Sequence, residues 1–83
     1  MITDNQLKIK IDILTNKLEA GLFEDVITEA KGLLKKRGHQ IIYNIISIAY
    51  QSLGKFDLSV NIMEEALKKN PRNPYFLNNM GIS

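Results

Sequence analysis

Eighty-three residues suffice for one small domain, since domains commonly run to roughly 100–150 residues. Apolar residues are 45% and charged ones 24%, which excludes a chain too polar to bury a core, and the absence of cysteine excludes disulfide scaffolds, thiol nucleophiles and zinc knuckles. The net charge of +2 comes from interspersed residues that form no basic stripe, so nucleic acid is not an expected partner.

The first stretch, Leu7-Lys8-Ile9-Lys10-Ile11-Asp12-Ile13, alternates apolar and polar residues as a half-buried strand does. Leu7, Ile11, Leu14 and Leu18 also fall on one helix face. A lone strand would have no ladder partner, so a helix is expected, capped by Thr3 or Asp4.

Gly21-Leu22-Phe23-Glu24-Asp25-Val26-Ile27 follows, and it recurs 33 residues later as Gly54-Lys55-Phe56-Asp57-Leu58-Ser59-Val60. An apolar stripe at steps of three, four and seven comes after each copy. In the first copy it is Phe23, Val26, Ile27, Ala30, Leu33 and Leu34; in the second it is Phe56, Val60, Met63, Ala66 and Leu67. Basic stops close both, Lys35-Lys36-Arg37-Gly38 and Lys68-Lys69-Asn70-Pro71. Gly38 is expected to end its helix in the left-handed conformation, and Pro71 cannot continue a helix. Glu24, Asp25 and Asp57 near the starts, and the lysines near the ends, complement helix dipoles. Between the copies Ile42, Ile45, Ile46, Ala49, Tyr50 and Leu53 form a further helix face, so a helix–turn–helix unit repeats with short connectors.

The residues now in view resemble tetratricopeptide repeats, helix–turn–helix units of about 34 residues. Residues 40–73 carry the resemblance most clearly, with Tyr43, Ile46, Tyr50, Gly54, Phe56, Ala66, Leu67 and Pro71 at the family's spacing, and with small Ser47 and Ser59 where Gly and Ala are usual. Residues 7–39 form a degenerate unit that keeps Ile13, Gly21 and Phe23. Its Lys10, Leu14 and Lys17 stand where an aromatic, a Gly and a Tyr are usual; the two lysines suit an end unit whose outer face meets water. A third unit starts within residues 74–83, where Leu77-Asn78-Asn79-Met80-Gly81 is similar to the family's first helix. The resemblance implies an all-α fold of antiparallel helix–turn–helix repeats, stacked as a short right-handed α-solenoid. Because each unit leaves an apolar flank for its neighbour, the chain is expected to be part of a longer repeat protein, or to self-associate through its uncapped C-terminal face.

Residues suited to catalysis are scattered. His39 is the single histidine and is expected in an exposed loop, without partners for a metal or a triad. Glu64 and Glu65 point about 100° apart on a helix and share no site. The glycines occur singly, which excludes a phosphate loop. No enzyme activity and no cofactor are therefore expected of this segment.

Recognition remains, and the resemblance implies where it would act: first helices of successive units line a concave groove for an extended peptide or a partner protein. The corresponding positions are Lys8, Ile11 and Thr15, with Leu18 and Glu19; then Ile41, Asn44, Ile48 and Gln51, with Ser52; then Tyr75, Asn78 and Asn79. This mixture of apolar and amide groups suits backbone and apolar contacts better than anion capture. The carboxylate clamp of chaperone-binding members is not matched, because its positions hold Ile11, Thr15, Ile45, Tyr75 and Asn79. An alternative is the N-terminal repeat region of a bacterial transferase of the O-linked glycosyltransferase or sulfotransferase type, with Asn79 as one rung of an asparagine ladder that Ile45 interrupts. No apolar run approaches the roughly 20 residues of a membrane span, and no export pattern is present, so no membrane partner and a cytoplasmic location are expected.

Overall fold

Four α-helices and no strand make up residues 2–69, which are the residues that the computed structural model describes. They are α1 (Asp4–Glu19), α2 (Phe23–Lys36), α3 (Gln40–Ser52) and α4 (Phe56–Lys69). The alternating stretch at residues 7–13 is helical throughout. Its face of Leu7, Ile11, Leu14 and Leu18 is buried or half-buried, and a strand there would have had no partner. Thr3 is the N-cap: its hydroxyl accepts from the Gln6 backbone N–H at 3.2 Å, while the Gln6 side chain accepts from the Thr3 N–H at 3.0 Å. This reciprocal capping box satisfies two otherwise unpaired donors at the start of the chain's first helix.

The connectors between successive helices have three residues each, short enough that every helix returns along the one before it. Two of them are the same structure. In the first, the N–H groups of Ala20, Gly21 and Leu22 donate to the carbonyls of Asn16, Leu18 and Lys17; in the second, those of Leu53, Gly54 and Lys55 donate to Ala49, Gln51 and Tyr50. Each bond of one turn has its counterpart 33 residues on. The pattern is a Schellman motif, which needs a left-handed residue just past the helix. Gly21 at φ 83° and Gly54 at φ 76° supply it.

The connector at residues 37–39 is built differently. Gly21 and Gly54 are the described glycines with positive φ, so the left-handed stop expected of Gly38 is absent. Instead Arg37 leaves α2 in extended backbone, φ −156° and ψ 116°. His39, expected as a plain loop residue, is the N-cap of α3: its Nδ1 accepts from the Ile41 N–H at 3.1 Å. An extended segment places the cap without a left-handed turn, and the Gly38 conformational freedom is not used.

Packing centres on α3, which contacts α1, α2 and α4; α1 also lies against α2. Ile42, Tyr43, Ile45, Ile46, Ser47, Ala49 and Tyr50 of α3 are buried, and they meet Leu7 and Leu14, then Val26, Ala30 and Leu33, then Ile62, Met63 and Ala66 in a single core. Burying one such aliphatic side chain contributes about 1.5–3 kcal/mol. In α4 the buried face is Ser59, Ile62, Met63 and Ala66, which departs from the expected stripe. Phe56 is 64% exposed and Val60 is exposed as well. The α4 helix turns its Ser59–Ile62 side to α3, and that rotation carries Phe56 and Val60 off the core; Phe56 is thus not the helix-packing residue that its spacing suggested. The expected third unit, including Pro71 and residues 74–83, lies outside the described residues.

Replacing Gly54 by Ala is expected to lower stability by about 1 kcal/mol, the cost of a left-handed residue with a Cβ. No heavy atom lies within 4 Å of that Cβ position, so the loss is conformational and appears as a lower urea midpoint with an unchanged slope. Gly38→Ala, whose backbone is not left-handed, is expected to hold or slightly raise the midpoint.

Candidate functional site

The candidate groove residues sit on α1 and α3, two helices in direct contact. Lys8, Ile11 and Thr15 take the same register on α1 that Ile41, Asn44 and Ile48 take on α3, 33 residues later. Steps of three and four keep each trio on one helix face. On α3 this face is what the core leaves over: Ile41 is 40% and Ile48 37% exposed, on either side of half-buried Asn44. On α1, Lys8 and Thr15 are exposed and Ile11 is half-buried against the core. The Thr15 hydroxyl donates to the Ile11 carbonyl at 2.9 Å, so what it offers outward is an acceptor. Leu18 is half-buried, and Glu19 and Ser52 are exposed. Ile45, the position of the interrupted asparagine ladder, is buried. Tyr75, Asn78 and Asn79 lie outside the described residues.

Gln51 leads from this face into the core. Its Nε2 donates to Ser59 Oγ at 3.1 Å, and Ser59 Oγ lies 2.6 Å from Ser47 Oγ. Both serines are buried, and the hydroxyls satisfy one another where α3 crosses α4, so no buried side-chain donor or acceptor among the described residues is left without a partner. In the first unit the equivalent positions are Leu14, Leu18 and Val26, an apolar version of the same crossing. Sequence reasoning assigned the serines only smallness; their hydrogen bond was missed, although two serines in register on facing helices are a readable signal.

Elsewhere on the surface, a cleft of about 430 Å³ opens between α1 and α2, lined by Lys10, Ile13, Glu29, Gly32 and Lys36 among others. Lys17 pairs with Glu29 at its border. Around the second unit, the ammonium of Lys31 lies 5.3 Å from the centre of the Tyr50 ring, and that of Lys69 lies 5.9 Å from Tyr43. The hydrogen bond that the Lys69 ammonium donates to the Tyr43 oxygen, then charge attraction to Tyr43, holds Lys69 above its ordinary pKa. Among the described residues no group of three or more His, Asp or Glu side chains is placed to hold a metal ion, and no helix is long and apolar enough to cross a membrane.

Comparison with protein-family models, with curated proteins and with solved structures returns no match.

Ser47→Ala is expected to cost roughly 1–2 kcal/mol, because it strips a partner from a buried hydroxyl. The double variant Ser47→Ala/Ser59→Ala is expected to lose less than the sum of the two single variants, as contacting residues do. Urea unfolding of the four proteins measures both.

Proposed function

We propose that the chain is a protein-interaction module of tetratricopeptide-repeat type, stacked as a short α-solenoid, that binds an extended peptide or a partner protein along the face shared by α1 and α3. One observation carries the reading. The α1–α2 and α3–α4 turns repeat bond for bond at a 33-residue offset, and the same offset carries Lys8, Ile11 and Thr15 onto Ile41, Asn44 and Ile48. Exposed Ile41 and Ile48 with half-buried Asn44, and exposed Lys8 and Thr15 with half-buried Ile11, pair apolar contact with a few hydrogen-bonding groups. That is the chemistry for holding a peptide by its backbone and its apolar side chains. Gln51, tied to Ser59, serves this face as a fixed edge more than as a mobile contact.

The test is an amide NMR titration of the labelled chain with a panel of extended peptides carrying alternate apolar residues. Shift changes are expected along Ile11, Thr15, Ile41, Asn44 and Ile48. Ile48→Asp, at an exposed site, is expected to weaken binding about tenfold, or about 1.4 kcal/mol, without altering the urea midpoint. Changes confined to the α1–α2 cleft, or no binding by any peptide, would overturn the reading.

A further inference from the structure

The cleft between α1 and α2 is one half of a longer trough. Its hollow of about 430 Å³, floored by buried Leu14 and Leu33, runs on into a second of about 600 Å³ against Ile2, Gln6 and Ile9. Lys10, Ile13 and Lys36 line both, so the two lysines stand where the hollows meet. We propose that this trough binds a free single-chain alkyl carboxylate, its head group between Lys10 and Lys36 and its tail over Ile13, Leu14 and Leu33 toward Gly32.

The charge of the trough points to that ligand. Glu29, the acid in its lining, is paired with Lys17. Neither Lys10 nor Lys36 is in an ion pair among the described residues. Two uncompensated ammonium groups above an apolar floor complement an anion that carries apolar bulk. A second copy of the chain would bring the same lysines and be repelled. The lysine stems extend the apolar cover while their ammonium groups stay at the water's edge, where a carboxylate meets them.

Gly32 supplies the second argument. It lies inside α2 without a left-handed φ, and no heavy atom lies within 4 Å of the place its Cβ would take. Neither backbone conformation nor packing therefore calls for glycine, which is unfavourable inside a helix. The second unit holds Glu65 at the equivalent position. What the missing side chain provides is a floor open to the α2 backbone. The smaller hollow lies within the roughly 300–1,000 Å³ of small-molecule sites. An alkyl chain enters between the two helices toward Gly32, whereas a docked helix, about 10 Å across, would rest on the rims at Ile9 and Ile13.

The test is an amide NMR titration of the labelled chain with dodecanoate below its micelle concentration. Saturable shift changes are expected at Lys10, Ile13, Gly32, Leu33 and Lys36, with a dissociation constant on the order of 100 µM. Acetate, which lacks the tail, and dodecyltrimethylammonium, which reverses the charge, are expected to bind at least about tenfold more weakly. Gly32→Leu is expected to abolish saturable binding while holding or raising the urea midpoint, because leucine fills the floor and is the better helix former. Lys10→Gln/Lys36→Gln is expected to weaken dodecanoate about tenfold, to remove its advantage over dodecyltrimethylammonium and to leave the circular dichroism unchanged. No saturable binding, equal binding of the cationic amphiphile by the wild type, or full affinity in either variant would overturn the proposal. So would shift changes centred on α3 and α4, or tighter binding in the trough of a helical leucine–glutamate peptide. Co-sedimentation with phosphatidylglycerol vesicles that the double lysine variant loses would also overturn it, assigning the lysines to a membrane surface. Peptide binding is read on other residues, Ile41 and Ile48, so either proposal can fail alone.

Discussion

The constraint on which the rest of the structure depends is that α3 must be covered on three sides. Seven of its thirteen residues are buried, and its contacts with α1, α2 and α4 provide the cover. No single neighbour can bury a helix so apolar, since an amphipathic partner offers only one stripe. The order of the other elements follows: short turns bring α2 and α4 back against α3, and α1 fills the remaining flank. What is left uncovered on α3 is the narrow strip through Ile41 and Ile48. On α3 the candidate site is thus the face that packing did not claim, and its apolar character there is a direct result of the helix that bears it.

Features set by local chemistry were legible in the sequence. Thr3 or Asp4 reads as a cap because a side-chain oxygen two or three residues ahead of an unpaired N–H satisfies it, and the structure selects Thr3. Gly21 and Gly54 read as turns because the left-handed region favours glycine, and both occupy it. Features that depend on how helices rotate against one another were less legible. Phe56 fits a stripe with Val60, Met63 and Leu67 as well as Ser59 fits one with Ile62, Met63 and Ala66. Only the contact with α3 selects the second, and the hydroxyl pair of Ser47 and Ser59 sits in that contact. Gly38 misled for the opposite reason: glycine permits a left-handed stop without requiring one, and His39 caps α3 from extended backbone. The groove positions on α1 and α3 were named from the resemblance, and the repeat offset adds only that the two sets share a register. Spacing, by contrast, could not reveal that Gln51 is tied to the serine pair.

The two units differ in a way that is itself informative. At the helix crossing the first unit holds Leu14 and Val26, whereas the second holds hydrogen-bonded Ser47 and Ser59. Toward the N-terminal side the relation inverts, with the Lys17–Glu29 ion pair in the first unit where the second holds buried Tyr50 and Ile62. Polarity has exchanged places between the inside of a unit and its flank. The flank of the second unit is covered by the first and is accordingly apolar. That of the first meets water among the described residues, and a charged pair there loses little solvation while its aliphatic stems still cover the core beneath. At the crossing, small residues let helices approach closely; two hydroxyls do so at no net loss because each satisfies the other, and Leu14 with Val26 fills the same space with carbon. A backbone repeated bond for bond thus accepts opposite side-chain chemistry at equivalent positions, provided that each polar group is either paired or wet. Under that rule Ile9 and Ile13 are the conspicuous residues of α1, since they are exposed and apolar on a flank whose other positions have turned to charge.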